Sequence, residues 1–119
     1  MLAFDILGDP VRRFILEQLA DSERSAGEIT SAVHDRFGIS QPAVSQHLRV
    51  LRESGFVTVR PDGTRRFYSV DAEPLREVDT WLDPYRRFWN SRLDALDTEL
   101  ARGKRQRRTR PATTTRGTT

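Results

Sequence analysis

Cysteine is absent from this chain of 119 residues, so disulfide staples, thiolate nucleophiles and thiolate metal sites are excluded. Histidine is scarce: His34 and His47 stand apart at a spacing that matches no metal-binding pattern. No apolar run approaches the roughly 18 to 20 residues that a membrane span needs, so no membrane partner is expected. The first residues, Met1-Leu2-Ala3-Phe4-Asp5, lack the basic and apolar regions of a secretory signal, which makes the cytoplasm the expected compartment. A Gly-x-Ser-x-Gly elbow and a Gly-rich phosphate loop are also missing, and the carboxylates are expected on the surface. The chain is therefore not expected to be an enzyme or to carry a cofactor.

What is present is charge, unevenly distributed. Lysine and arginine total 20 against 17 acids, a formal net charge of +3. Residues 1–39 and 71–101 are net acidic, whereas 40–70 are net basic through Arg49, Arg52, Arg60, Arg65 and Arg66. From Arg102 onward the chain carries Lys104, Arg105, Arg107, Arg108, Arg110 and Arg116 with no acid and almost no apolar residue. That composition predicts a disordered basic tail over 102–119 attached to one folded domain over 1–101. A polyanion would meet the middle segment and the tail.

Apolar spacing and capping residues divide the domain into helices and one hairpin. Leu2, Phe4 and Leu7 precede Gly8, after which Asp9 caps and Pro10 opens a helix carrying Val11, Ile15 and Leu19. Ile29, Val33 and Phe37 recur every four residues over about 26–37, and Gly38 supplies a left-handed cap. Ser40 then caps a helix over about 41–54 that tolerates Pro42 in its first turn. At ~100° per residue, Val44, Leu48 and Leu51 form its apolar face. Pro42, Gln46, Arg49 and Glu53 lie opposite, with Gln41, Ser45 and Arg52 on one shoulder. Runs 56–60 and 65–70, joined by Pro61-Asp62-Gly63-Thr64, predict a hairpin with arginines at its tip. The segment from about Ala72 to Ala101 is amphipathic and helical, and Asp83-Pro84 predicts a kink or two abutting helices.

Two helices joined by a tight turn, the second with a polar outer face, followed by a basic hairpin, form a winged helix-turn-helix. The expected fold class is mainly α with a β-hairpin wing. The chemistry suits double-stranded DNA. Glutamine can bond the adenine edge bidentately in the major groove and serine can contact several edges, which makes Gln41, Ser45 and Gln46 candidate base readers. Arg49, Arg52, Arg65 and Arg66 suit phosphates or the minor groove.

The strings Asp9-Pro10-Val11-Arg12-Arg13-Phe14-Ile15-Leu16 and Gly38-Ile39-Ser40-Gln41-Pro42-Ala43-Val44-Ser45-Gln46-His47-Leu48-Arg49-Val50-Leu51-Arg52 resemble the ArsR family of prokaryotic transcriptional repressors. Gly55-Phe56-Val57 and Gly63-Thr64-Arg65-Arg66-Phe67-Tyr68 resemble its wing. The resemblance, over about residues 5–100, implies a homodimer that binds an imperfect palindrome in a promoter, commonly its own, and leaves it on sensing a signal. It places Ser40, Gln41, Ser45 and Gln46 on DNA, with the hairpin from Arg60 through Gly63, Thr64, Arg65 and Arg66 to Tyr68 as the wing. The metal-sensing half of the family description does not carry over. Glu28-Ile29-Thr30-Ser31-Ala32-Val33 offers no thiolate and the last helix has no histidine. The string from Tyr85 to Leu96 resembles a cysteine-free branch, for which a small-molecule effector is open and no ligand class follows.

Other readings stand beside these. His47 lies about 60° from the centre of the Val44 and Leu48 face, so it packs, caps or contacts a phosphate. Leu75, Val78, Trp81, Leu82, Tyr85, Phe88, Trp89, Leu93 and Leu96 form more apolar surface than a terminal helix of this domain needs, which predicts a dimer interface shared with Leu2, Phe4 and Leu7. An apolar effector pocket between the same helices is the bolder version. Asp79, Asp83, Asp94 and Asp97 read as a solvated face rather than metal ligands. The alternatives for function are a winged-helix scaffold for protein partners and a nonspecific architectural binder driven by the tail.

Overall fold

The structure, a computed structural model, describes residues 2–103, with side chains as far as Asn90. The basic segment from Lys104 onward and the side chains of Leu93 and Leu96 lie outside the described residues. The elements run α1 (Leu2–Leu7), α2 (Pro10–Leu19), β1 (Arg24–Ser25), α3 (Ala26–Phe37), α4 (Gln41–Glu53), β2 (Val57–Asp62), β3 (Arg65–Val70) and α5 (Leu75–Gly103). The chain divides after Trp81 into two units, and α5 begins in the first and continues in the second.

Local chemistry explains the helix boundaries of the first unit. The Asp9 carboxylate accepts the Val11 and Arg12 amides at 2.7 and 3.2 Å, and Pro10 occupies a first-turn position where its missing N–H is not needed. Ser25 and Glu28 form a reciprocal capping box on α3: the Glu28 amide donates to Ser25 Oγ at 3.1 Å and the Ser25 amide to Glu28 Oε1 at 2.8 Å. Gly38 ends α3 with φ 71°, so the chain reverses within two residues before Ser40 caps α4. The carbonyl end of α1 is held from α2, with Arg12 donating to Ile6 O and Asp5 O and Arg13 to Leu7 O.

The hydrophobic core forms where these helices meet the sheet. Ile15, Leu19, Ile29, Val33, Val44, Leu51 and Phe56 are fully buried, so α2, α3 and α4 each contribute the stripe that their spacing predicts. The small antiparallel sheet has the order β1-β3-β2. Asp62 pairs with Arg65, which leaves Gly63-Thr64 as a two-residue loop with Gly63 at φ 65°.

Several expectations are corrected. The hairpin turn is shorter than the expected 61–64, because β2 includes Pro61 and Asp62 and, as an edge strand, tolerates a residue with no amide hydrogen. The two-residue strand β1 is too short to show any periodicity and is absent from the sequence reading. α1, for which no inner face is predicted, buries Ala3 and Ile6 and turns Leu2 and Phe4 outward. α5 is one element through Pro84 rather than two abutting helices. The ring removes a single donor from the ladder while neighbouring turns keep theirs, and Asp83 bonds Arg86 at 3.0 Å.

Candidate nucleic-acid interface

α4 separates its faces as an amphipathic helix must. Val44, Leu48 and Leu51 are buried, and Gln41, Pro42, Ser45, Gln46, Arg49 and Arg52 are exposed. Ser40 is exposed at the start of the helix, but its hydroxyl accepts the Ala43 amide at 3.4 Å and so acts as a cap. Arg49 pairs with Glu53 one turn on at 3.5 Å, while Arg52 makes no ion pair with the described residues. His47 is half-buried on the inner shoulder, and its charge acts on Asp9, the cap of α2. Burial works to raise the Asp9 pKa. The Arg12 and Val11 amides, with the His47 and Arg12 charges, outweigh it and hold that carboxyl below its ordinary value.

The polar face of α4 opens onto a groove of about 440 Å³. Gln41, Ser45, Arg49 and Arg52 line one wall, Ala26, Gly27 and Thr30 of α3 line the floor, and Arg66 and Tyr68 of β3 close the far side. A second, wider groove of about 840 Å³ shares Ala26, Gly27 and Arg66 and extends past Arg65 and Thr64 along the first turns of α3. The helix and the hairpin thus bring amide, hydroxyl and guanidinium groups from three elements to one concave surface, the donor set that suits phosphodiester and base edges.

The wing residues divide into two sets. Gly63, Thr64, Arg65 and Arg66 are exposed around the tip, and the Arg65 guanidinium lies 4.9 Å over the Phe67 ring. Tyr68 does not belong to the exposed wing. It is 7% exposed and part of the hydrophobic core, because its position on β3 turns the ring inward, and it offers the groove a small edge rather than an exposed side chain. Arg60 is exposed but occupied: Nη2 donates to Glu23 Oε1 at 2.6 Å, Nη1 lies 3.7 Å from Asp62, and the guanidinium stacks 4.9 Å from the Phe67 centroid. The Glu23 hydrogen bond raises the Arg60 pKa, and the same bond holds Glu23 below the usual carboxylate range. Glu23 is the residue that the sequence does not reveal, since a single acid in a loop before a two-residue strand carries no pattern.

The apolar residues expected at a dimer interface fall into two groups, one in each unit. In the first, Leu2 is 58% and Trp81 47% exposed, and the Phe4 and Trp81 rings meet edge to face at 5.3 Å. Leu7 and Leu75 are half-buried, and Val78 packs against the core of its own chain. In the second unit Tyr85, Phe88 and Trp89 are exposed, Leu82 is half-buried, and Arg87 lies 5.0 Å over the Phe88 ring. Among the described residues no group of three His, Cys, Asp or Glu side chains is placed to hold a metal ion, and no helix is long and apolar enough to cross a membrane.

Comparison with known proteins bears on this surface. Residues 9–59 match the family described as bacterial regulatory protein, arsR family. The HTH-type transcriptional regulator Rv2034 of Mycobacterium tuberculosis is 42% identical over 91 residues, covering 76% of this chain and 78% of that protein. The transcriptional repressor SdpR of Bacillus subtilis is 30% identical over 79 residues, 66% of this chain and 83% of that one. Among solved structures, a possible transcriptional regulator for arsenical resistance superposes with a TM-score of 0.60 at 32% identity, covering 83% of this chain and 96% of the other. The homodimeric winged helix-turn-helix DNA-binding domain Mb0332 of Mycobacterium bovis gives 0.54 at 26% identity, over 72% and 76% of the two chains.

Proposed function

The chain belongs to the arsR family of bacterial regulatory proteins and is a winged helix-turn-helix transcriptional regulator, a non-enzymatic class; from that premise we propose how its own residues perform the task. It works as a homodimeric repressor on a palindromic promoter site, its own promoter included, in the cytoplasm, where promoters are found. α4 enters the major groove, where Gln41, Ser45 and Gln46 contact base edges. Arg49, Arg52, Arg65 and Arg66 hold the flanking phosphates, and Ser40 and Pro42 set the start of the helix. The observation that carries this reading is the concave surface on which α4, α3 and β3 assemble amide, hydroxyl and arginine groups, with no acid among the described residues that line its smaller groove.

Dimerisation supplies the second reading head. Leu2, Phe4, Leu7 and Trp81, together with the α5 residues Leu75, Val78, Leu82, Tyr85, Phe88, Trp89, Leu93 and Leu96, are the proposed contact between copies. The exposed aromatic groups gain about 1.5 to 3 kcal/mol each only when covered. In the dimer the two α4 helices stand about one DNA turn apart, roughly 34 to 36 Å. Residues 1–101 form the binding and dimerisation domain, and 102–119 act as a basic arm that adds sequence-independent affinity.

Selection of bound sequences from random DNA, with the full chain and with a chain ending at Ala101, tests this reading. A palindromic consensus recovered by both supports it. A consensus from neither rejects the regulator's proposed mode of reading, and binding that vanishes with the tail assigns the affinity to a nonspecific basic arm.

A further inference from the structure

We infer that Glu23 is a positioning residue for DNA binding: its carboxylate clamps the base of the wing through Arg60, and Arg60 sets the pose of the hairpin instead of holding a phosphate. The inference rests on the reading of the wing as a DNA-contacting element. Glu23 stands in the loop just before β1. One oxygen accepts from Arg60 on β2 at 2.6 Å and the other from the Ser69 hydroxyl on β3 at 3.5 Å, so a single side chain touches both strands of the hairpin. The Arg60 guanidinium is also stacked on Phe67, its register partner on β3, and flanked by Asp62.

The loop that carries Glu23 is itself anchored. Arg24 Nε donates to Gln18 O at the end of α2 at 2.8 Å, and the next residue, Ser25, is the buried cap of α3. The clamp therefore ties the hairpin to the frame that holds α3 and, through the two-residue turn after Gly38, α4. Two carboxylates flank Arg60, so a phosphate approaching it meets the negative charge of Glu23 and Asp62. Arg65 and Arg66 make no ion pair with a described acid and line the grooves beside the hairpin, which makes them the wing's available cations. The lowered Glu23 and raised Arg60 pKa values agree with the geometry.

The test is fluorescence anisotropy on a labelled duplex recovered by the selection, titrated at graded KCl, with the full chain and the variants Glu23→Ala, Arg60→Gln, their double, Arg65→Gln and Arg66→Gln. Each of the first two is expected to raise Kd about two- to fivefold, the range of an exposed ion pair, and the double no more than the larger single. The slope of log affinity against log salt stays at the wild-type value in all three, whereas Arg66→Gln flattens it by about 1.8, the loss of one phosphate contact from each protomer of the dimer. The inference is overturned if Arg60→Gln itself flattens the slope by that amount, if the two losses add, or if Glu23→Ala leaves affinity unchanged or raises it. If Arg66→Gln and Arg65→Gln both leave the slope untouched, the wing does not hold DNA and the reading of it as a DNA-contacting element fails.

Discussion

Trp81→Ala measures how much of the proposed dimer contact the exposed aromatic groups of the first unit supply. A tryptophan presents roughly 200 Å² to burial. With Trp81 47% exposed in the isolated chain, about 100 Å² remains for a second copy to cover. At about 25 cal/mol per Å² that area is worth about 2.5 kcal/mol per protomer, or about 5 kcal/mol in a symmetric pair, as an upper bound. Burial of half to most of it corresponds to a rise in dimer Kd of about 10²- to 10³-fold on truncation. Within the protomer, Phe4 loses its edge-to-face partner at 5.3 Å, an effect of about 0.5 to 1.5 kcal/mol that thermal melting of the monomer reports separately. Sedimentation equilibrium across a protein dilution series gives the dimer Kd directly. An unchanged Kd for Trp81→Ala, in a protein that does dimerise, would refute the assignment of this surface.

Other perturbations test the frame that presents α4. Gly38→Ala places a side chain at φ 71° in the turn before the recognition helix, where no heavy atom lies within 4 Å of the added carbon; the cost is backbone strain alone, about 1 kcal/mol, read by urea denaturation. Asp9→Ala removes the cap of α2 and lowers stability by about 1 kcal/mol at neutral pH. Because the Asp9 pKa is lowered in the folded chain, the unfolded chain binds that proton more tightly. The charge-linked part of its stabilisation is complete above the unfolded value of about 3.9 and is lost as pH falls through the lower folded value, so the gap between wild type and variant narrows in acid melts. Arg52→Gln removes one phosphate contact from each protomer, flattens the salt dependence of DNA binding by about 1.8 and weakens binding to all duplexes alike, which electrophoretic mobility shifts at several KCl concentrations check.

The helices that carry the site were legible because their ends are written in local chemistry. Gly38 and Ser40 specify caps that need no tertiary context, and α3 ends and α4 begins where those caps place them. The polar face of α4 followed from the burial of Val44, Leu48 and Leu51 opposite it. What escaped was decided by contacts distant in sequence. Tyr68 and Arg60 both look like wing-surface residues until the pairing of β3 with β1 turns the tyrosine into the core and brings Glu23 onto the arginine. The inward turn of Ala3 and Ile6 was likewise hidden, because a six-residue helix with five apolar positions has no unambiguous inner face.

The affinity ratio between the selected duplex and the same duplex with scrambled half-sites, measured for wild type and Gln46→Ala at one salt concentration, addresses the proposed base reading most directly. Wild type should prefer the selected duplex, and Gln46→Ala should lose about 1 to 3 kcal/mol of that preference per half-site while its dimer Kd stays the same. A wild-type protein that binds both duplexes equally, or a Gln46→Ala variant with its preference intact, would contradict base reading by this face of α4.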